Sequence, residues 1–133
     1  MADYSALSGG SRVVSLTAAS SVAGGDILEV AASGSVRRCT TAASMSYVGC
    51  AADDAPAGGR VTVFGRGWIH ESVAEGTVTA GDQLVTSTAT GRQVKTLAAA
   101  GSNNPADINL ARAIFGIALT TAADGAKVRW TEF

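Results

Sequence analysis

Tyr47-Val48-Gly49-Cys50-Ala51, then Asp53-Asp54-Ala55-Pro56-Ala57-Gly58-Gly59, then Arg60-Val61-Thr62-Val63, is the stretch that decides the fold, because the chain writes it twice. The second copy runs Ile114-Phe115-Gly116-Ile117-Ala118, then Thr121-Ala122-Ala123-Asp124-Gly125, then Lys127-Val128-Arg129-Trp130. Gly49 and Gly116 lie 67 positions apart (116 − 49), and Ala51/Ala118, Gly58/Gly125, Arg60/Lys127 and Val61/Val128 keep that offset. Each copy reads as a strand, a Gly-containing turn and a returning strand. The two halves of the chain are therefore expected to be the same β-unit, an internal repeat over about 23–64 and 79–131.

Upstream of each copy the echo continues. Ala23-Gly24-Gly25-Asp26 before Ile27-Leu28 matches Thr79-Ala80-Gly81-Asp82 before Gln83-Leu84. Asp26 and Asp82 are placed to close Asx-type turns with their carboxylates. Gly34 precedes Val36 as Gly91 precedes Gln93-Val94, and further strands are predicted at Arg12–Thr17 and Trp68–Val73. Short β-branched runs punctuated by Gly indicate an all-β chain, a small barrel or sandwich. The halves differ in length: 24 residues separate Gly25 from Gly49, but 35 separate Gly81 from Gly116. The 11 extra residues fall within 98–113, where Asn104-Pro105-Ala106-Asp107 is a helix start, predicting a short helix near 105–112. This insertion is either an added contact, through Ile108 and Arg112, or a tolerated surface loop.

The 133 residues suit one domain, expected over 12–133. Hydrophobic residues make up 47%, but many are Ala and aromatics are only 5%, so the core is expected to be thin and self-association a means of stabilising it. The net charge of −1 offers no basic field for nucleic acid. No run approaches the roughly 20 apolar residues of a membrane helix. The start, Met1-Ala2-Asp3-Tyr4-Ser5, lacks the basic and apolar regions of a secretory signal, so folding in a cytoplasm is expected. Residues 1–11 have no periodicity and read as a flexible arm that still carries the apolar anchors Tyr4 and Leu7, either a frayed end or a segment that orders on a partner.

No constellation for catalysis stands out, and no enzyme activity or cofactor is expected. His70 is the only histidine and lies in an alternating run, expected on a solvated face. Asp53-Asp54 belongs to a turn and lacks calcium-loop spacing. Cys39 and Cys50 could pair if their strands are neighbours or be small core hydrophobes, and without a Cys-x-x-Cys spacing no metal site is expected. Trp68 and Trp130 read as core residues or as a subunit interface.

Taken in order, several of these motifs resemble the lambda-type family of tailed-phage capsid decoration (cement) proteins and related small phage capsid proteins. They are Val48-Gly49-Cys50-Ala51-Ala52-Asp53-Asp54, Val61-Thr62-Val63-Phe64-Gly65-Arg66-Gly67, Ala80-Gly81-Asp82-Gln83-Leu84, Thr90-Gly91 and Gly116-Ile117-Ala118-Leu119. The resemblance covers residues 12–131. The insertion at 98–113 and the two cysteines depart from the family pattern. It implies a β-tulip or small barrel, and a homotrimer on the outer surface of an expanded capsid at three-fold or quasi-three-fold sites. The protein would reside in the virion, after assembly in the host cytoplasm. The major capsid protein is the implied partner, with no role for nucleic acid or membrane. The arm, with Asp3, Tyr4 and Leu7, is implied to contact the capsid, and Trp68, Trp130, Ile108 and Arg112 are candidates for the subunit interface. The competing expectations are a carbohydrate- or host-surface-binding module presenting Trp68 and Tyr47, and an accessory domain similar to antifreeze-like β-clip modules.

Overall fold

The computed structural model describes residues 13–98 and 105–132. Ten strands and one helix make two five-stranded closed barrels in succession. The first contains β1 (Val13–Ala18), β2 (Ile27–Ala32), β3 (Ser35–Arg38), β4 (Tyr47–Ala51) and β5 (Arg60–Phe64), in the order β1-β3-β2-β4-β5 around the ring. After the short connection 65–68, the second contains β6 (Ile69–Glu75), β7 (Gln83–Thr86), β8 (Val94–Thr96), β9 (Gly116–Ala118) and β10 (Lys127–Glu132). Its order, β10-β6-β8-β7-β9, is the same ring: β6 pairs parallel with β8 as β1 does with β3, and β10 closes antiparallel on β6 as β5 does on β1. The chain is all-β apart from α1 (Pro105–Arg112), the predicted helix. Proline's fixed φ suits the first helical turn, and Arg112 in the last turn complements the helix dipole.

The repeat is legible bond by bond. Ala23 N donates to Asp26 Oδ2 at 2.9 Å, and Thr79 N donates to Asp82 Oδ2 at 2.9 Å, so both aspartates close their turns, but by reaching back three residues rather than forward as in the Asx turn expected. Gly25 and Gly81 follow those amides with φ of +91° and +95°, a conformation that costs residues with a Cβ. Their amides donate to Ala51 O and Ala118 O. Single bridges, Val22 to Ala55 and Val78 to Ala122, sit at matching places. Gly49 and Gly116 are required by close approach. A Cβ on Gly49 would lie 2.1 Å from Phe64 O, and one on Gly116 2.6 Å from Thr131 O. Each barrel also takes in a strand, β1 or β6, ahead of the segments that the sequence pairs.

The interiors correspond position by position. The first holds Ala18, Val22, Leu28, Val36, Ala51, Ala55, Val61 and Val63. The second holds Ala74, Val78, Leu84, Val94, Ala118, Ala122, Val128 and Trp130. Seven of these eight positions carry the same residue, so the barrels differ inside chiefly by Val63 against Trp130. Leu28 and Leu84 are fully buried, each worth about 1.5–3 kcal/mol relative to exposure. In β2 and β4 neighbouring side chains go opposite ways, as the pleat demands. Leu28 and Ala51 fill the first barrel, while Ile27, Cys50 and also Cys39 join the core of the second, with Phe115 and Tyr47 packed alongside. The second core thus extends beyond its own barrel into the seam between the two.

Candidate functional site

The seam is built from two polar assemblies. The first starts at Glu29 on β2, a buried carboxylate that gathers the 39–46 loop. Arg37 Nε and Thr40 N each donate to Oε1 at 3.1 Å, Thr40 Oγ1 at 3.0 Å, and Ser44 Oγ donates to Oε2 at 2.7 Å. Burial acts to raise the Glu29 pKa, but the bonds from Ser44, Thr40 and Arg37 together hold it below the ordinary value. The loop so fixed reaches the second barrel. Ser44 N donates to Thr86 Oγ1 at 2.8 Å, Ala43 N to Thr86 O at 3.0 Å, and Thr86 Oγ1 to Thr41 O at 3.0 Å.

The second assembly lies deeper. His70 Nε2 and Glu132 Oε1 are 2.7 Å apart, and both side chains are fully buried. Cys50 from the first barrel completes a trio whose ligand-type atoms all lie within 4.8 Å of one another. A chain of rings surrounds it: Tyr47 to Phe115 at 4.7 Å, Phe115 edge-on to Trp130 at 4.8 Å, and Trp130 to His70 at 5.0 Å between centroids. Trp130 Nε1 donates to Ser72 Oγ at 2.9 Å. The Tyr47 hydroxyl and Glu132 Oε2 are buried with no hydrogen-bond partner. Burial pushes the Cys50 thiol well up, and the Glu132 carboxylate adds to it. Burial likewise raises the Tyr47 phenol, with Cys50 and Glu132 contributing. A thiol held protonated and out of solvent is a poor nucleophile, so this cluster is not arranged for covalent catalysis.

These positions correct one sequence expectation and refine others. His70 is not on a solvated face: β6 alternates as read, but His70, Ser72 and Ala74 form its buried side. Cys39 and Cys50 are free thiols in the core, and burial, reinforced by Glu29, pushes the Cys39 thiol up to about 12. Trp130 is wholly enclosed within the chain and offers no surface to a second subunit. Trp68 is half-buried with its ring 4.9 Å from Phe64. Ile108 is exposed on α1, one turn before Arg112. Arg112 and exposed Met45 line a cleft of about 70 Å³ that also touches Tyr47 and Phe115. Asp3, Tyr4 and Leu7 lie outside the described residues. Asp53 and Asp54 have turn roles, accepting from Thr62 N and Gly24 N at 3.2 and 2.8 Å. Sequence reading missed the meeting of Tyr47, Cys50, His70 and Glu132. The available signal was that His70 and Glu132 stand where the other half has Val14 and Gly65.

No helix among the described residues is long and apolar enough to cross a membrane. No family model matches the chain, and no curated protein matches it. Among solved structures, the head fiber gp8.5 N base of bacteriophage phi29 is similar, with 16% identity and a TM-score of 0.59. The match covers 92% of this chain and 93% of that one, so the likeness in fold runs along nearly the whole of both chains.

Proposed function

We propose that the chain is a non-enzymatic structural protein of a bacteriophage head. It binds the outer surface of the expanded capsid as a homotrimer at three-fold or quasi-three-fold sites, and so stabilises the shell. The observation that carries this reading is the likeness, along 92% of the chain, to the base of a phage head fiber. The order of motifs resembling capsid decoration proteins, found independently in the sequence, agrees with it. A protein that binds only the expanded shell adds its binding free energy to that state. Repetition over many sites lets a modest affinity per site hold firmly. Residues 1–11 serve as the capsid-binding arm through Asp3, Tyr4 and Leu7, and the exposed Ile108–Arg112 face of α1 is the candidate contact between subunits.

The test is co-sedimentation with expanded, undecorated capsids of the phage that encodes the chain, with unexpanded procapsids as control. Saturable binding to expanded shells, in multiples of three copies, is the expected result. Absence of binding to either shell overturns the proposal. Deleting residues 2–10 is expected to leave the fold intact and weaken decoration, and equal binding by the shortened chain would remove the arm from the mechanism.

A further inference from the structure

We propose that Cys50, His70 and Glu132 form a binding site for a zinc-class divalent metal ion, enclosed in the seam between the two barrels. Thiolate, imidazole and carboxylate are the donors that zinc takes, and here all three are buried with their ligand atoms within 4.8 Å of one another. A tetrahedral ion with bonds of about 2.0–2.3 Å, its fourth position filled by a water, would hold its donors roughly 3.3–3.7 Å apart. The His70–Glu132 edge, at 2.7 Å, must open slightly, and the sulfur must close by on the order of 1 Å. Both are rotamer-scale movements.

The second observation is what the cluster leaves unpaired. Glu132 Oε2 has no hydrogen-bond partner of ordinary geometry although its side chain is fully buried, and the Tyr47 hydroxyl, which also lacks one, makes only weak contacts with Glu132 and Cys50. A buried carboxylate oxygen without a partner is costly, and a cation removes that cost. The charges also close: one thiolate and one carboxylate balance a divalent ion, with neutral imidazole as third ligand. Binding would displace the thiol proton, since metal ligation by cysteine takes the thiolate. Tyr47, whose hydroxyl bears on Glu132, would donate to that carboxylate and orient it. Tyr47 also lines two surface clefts, of about 70 and 180 Å³, and is the residue that lies between them and the trio. Two barrels that contribute ligands to one ion are tied at the seam. This role is independent of what the outer surface binds.

The test uses the full chain, stripped with a chelator under reducing conditions and titrated with Co²⁺. The expected result is one equivalent bound, with an intense thiolate-to-cobalt charge-transfer band and visible bands of tetrahedral cobalt, all abolished by Zn²⁺. The Cys39→Ser chain, whose only thiol is Cys50, is expected to keep the band. Cys50→Ser is expected to lose it, and Glu132→Gln to weaken cobalt binding by at least tenfold. A folded wild-type chain that shows no thiolate band at excess Co²⁺ overturns the proposal, leaving the trio a buried ion pair beside a thiol. So does a band that disappears in Cys39→Ser. Because that variant leaves every proposed ligand in place, the answer does not depend on whether Cys50→Ser folds.

Discussion

The two barrels share a ring order, turn aspartates and seven of eight interior residues, yet only the second shares its core with residues of the other barrel. The core of the first is aliphatic, and Val14, Leu16 and Val63 lie along the β1–β5 pair. At the corresponding places the second barrel has His70, Ser72 and Trp130 along β6–β10. A tryptophan in the place of a valine needs room. Serine in place of leucine supplies some of it and accepts the indole N–H. The second interior then continues past Phe115 to residues of the first barrel. Polar charge is divided the other way on the hairpins: Glu29 organises the joining loop, where the second barrel has Val85. One backbone thus serves both as a self-contained aliphatic unit and as an aromatic one whose core runs on into its neighbour, and that continuation is what joins them.

The largest effect is expected from making the second core like the first. Trp130→Val removes the ring that touches Phe115 and His70, and should cost about 3 kcal/mol or more in urea unfolding. Adding Ser72→Leu should recover part of this, as Leu16 accompanies Val63. If the double variant is no more stable than the single, the equivalence of the interiors fails as an energetic statement. Gly49→Ala comes next, at about 1–3 kcal/mol, because its Cβ would meet the Phe64 carbonyl at 2.1 Å. Gly116→Ala should be milder than Gly49→Ala, since its nearest backbone contact is 2.6 Å.

Glu29→Gln isolates the loop-organising carboxylate. Its pKa is lowered in the folded chain, so its contribution is present above the unfolded value of 4.5 and is lost as pH falls through the folded one. The wild type should therefore lose stability below about pH 4.5, and Glu29→Gln should show a flatter profile there. It should also be less stable at neutral pH, by about 1–3 kcal/mol. Parallel pH profiles for the two chains would show that other carboxylates govern acid unfolding. The smallest effect belongs to Arg92–Asp124, an exposed ion pair at 3.1 Å found only on the second barrel, where the first has Ala57. Arg92→Ala should leave the unfolding midpoint unchanged within error, and its loss should be equally invisible in high salt.

Much of this was legible in the chain. Gly49 and Gly116, the turn aspartates and Pro105 announce themselves because backbone geometry restricts which residues can stand there. The reading of β6 had the right period and the wrong phase. Ile69 and Val73 suggest that odd positions face inward, whereas the seam buries His70, Ser72 and Ala74. Alternation fixes which residues share a face, and only tertiary packing decides which face is covered. The kinship of β1 and β6 was hidden for the same reason, since Val14-Ser15-Leu16 and His70-Glu71-Ser72 have little in common as letters. Glu132 lies 62 positions from His70, and Cys50 belongs to the other barrel, so no local spacing could bring the trio together.

Closure of both rings has a consequence for crowding. Every described barrel strand has a neighbour on each side, but β1 meets β3 only through Thr17 and Ala18, and β6 meets β8 only through Ala74 and Glu75, so the edges left open are short stretches at the start of β1 and β6. Copies packed side by side at high density have only these short edges, and no full strand, through which to extend a ladder into one another. A foreign strand meets no full-length edge in either barrel, only the short one-sided starts of β1 and β6.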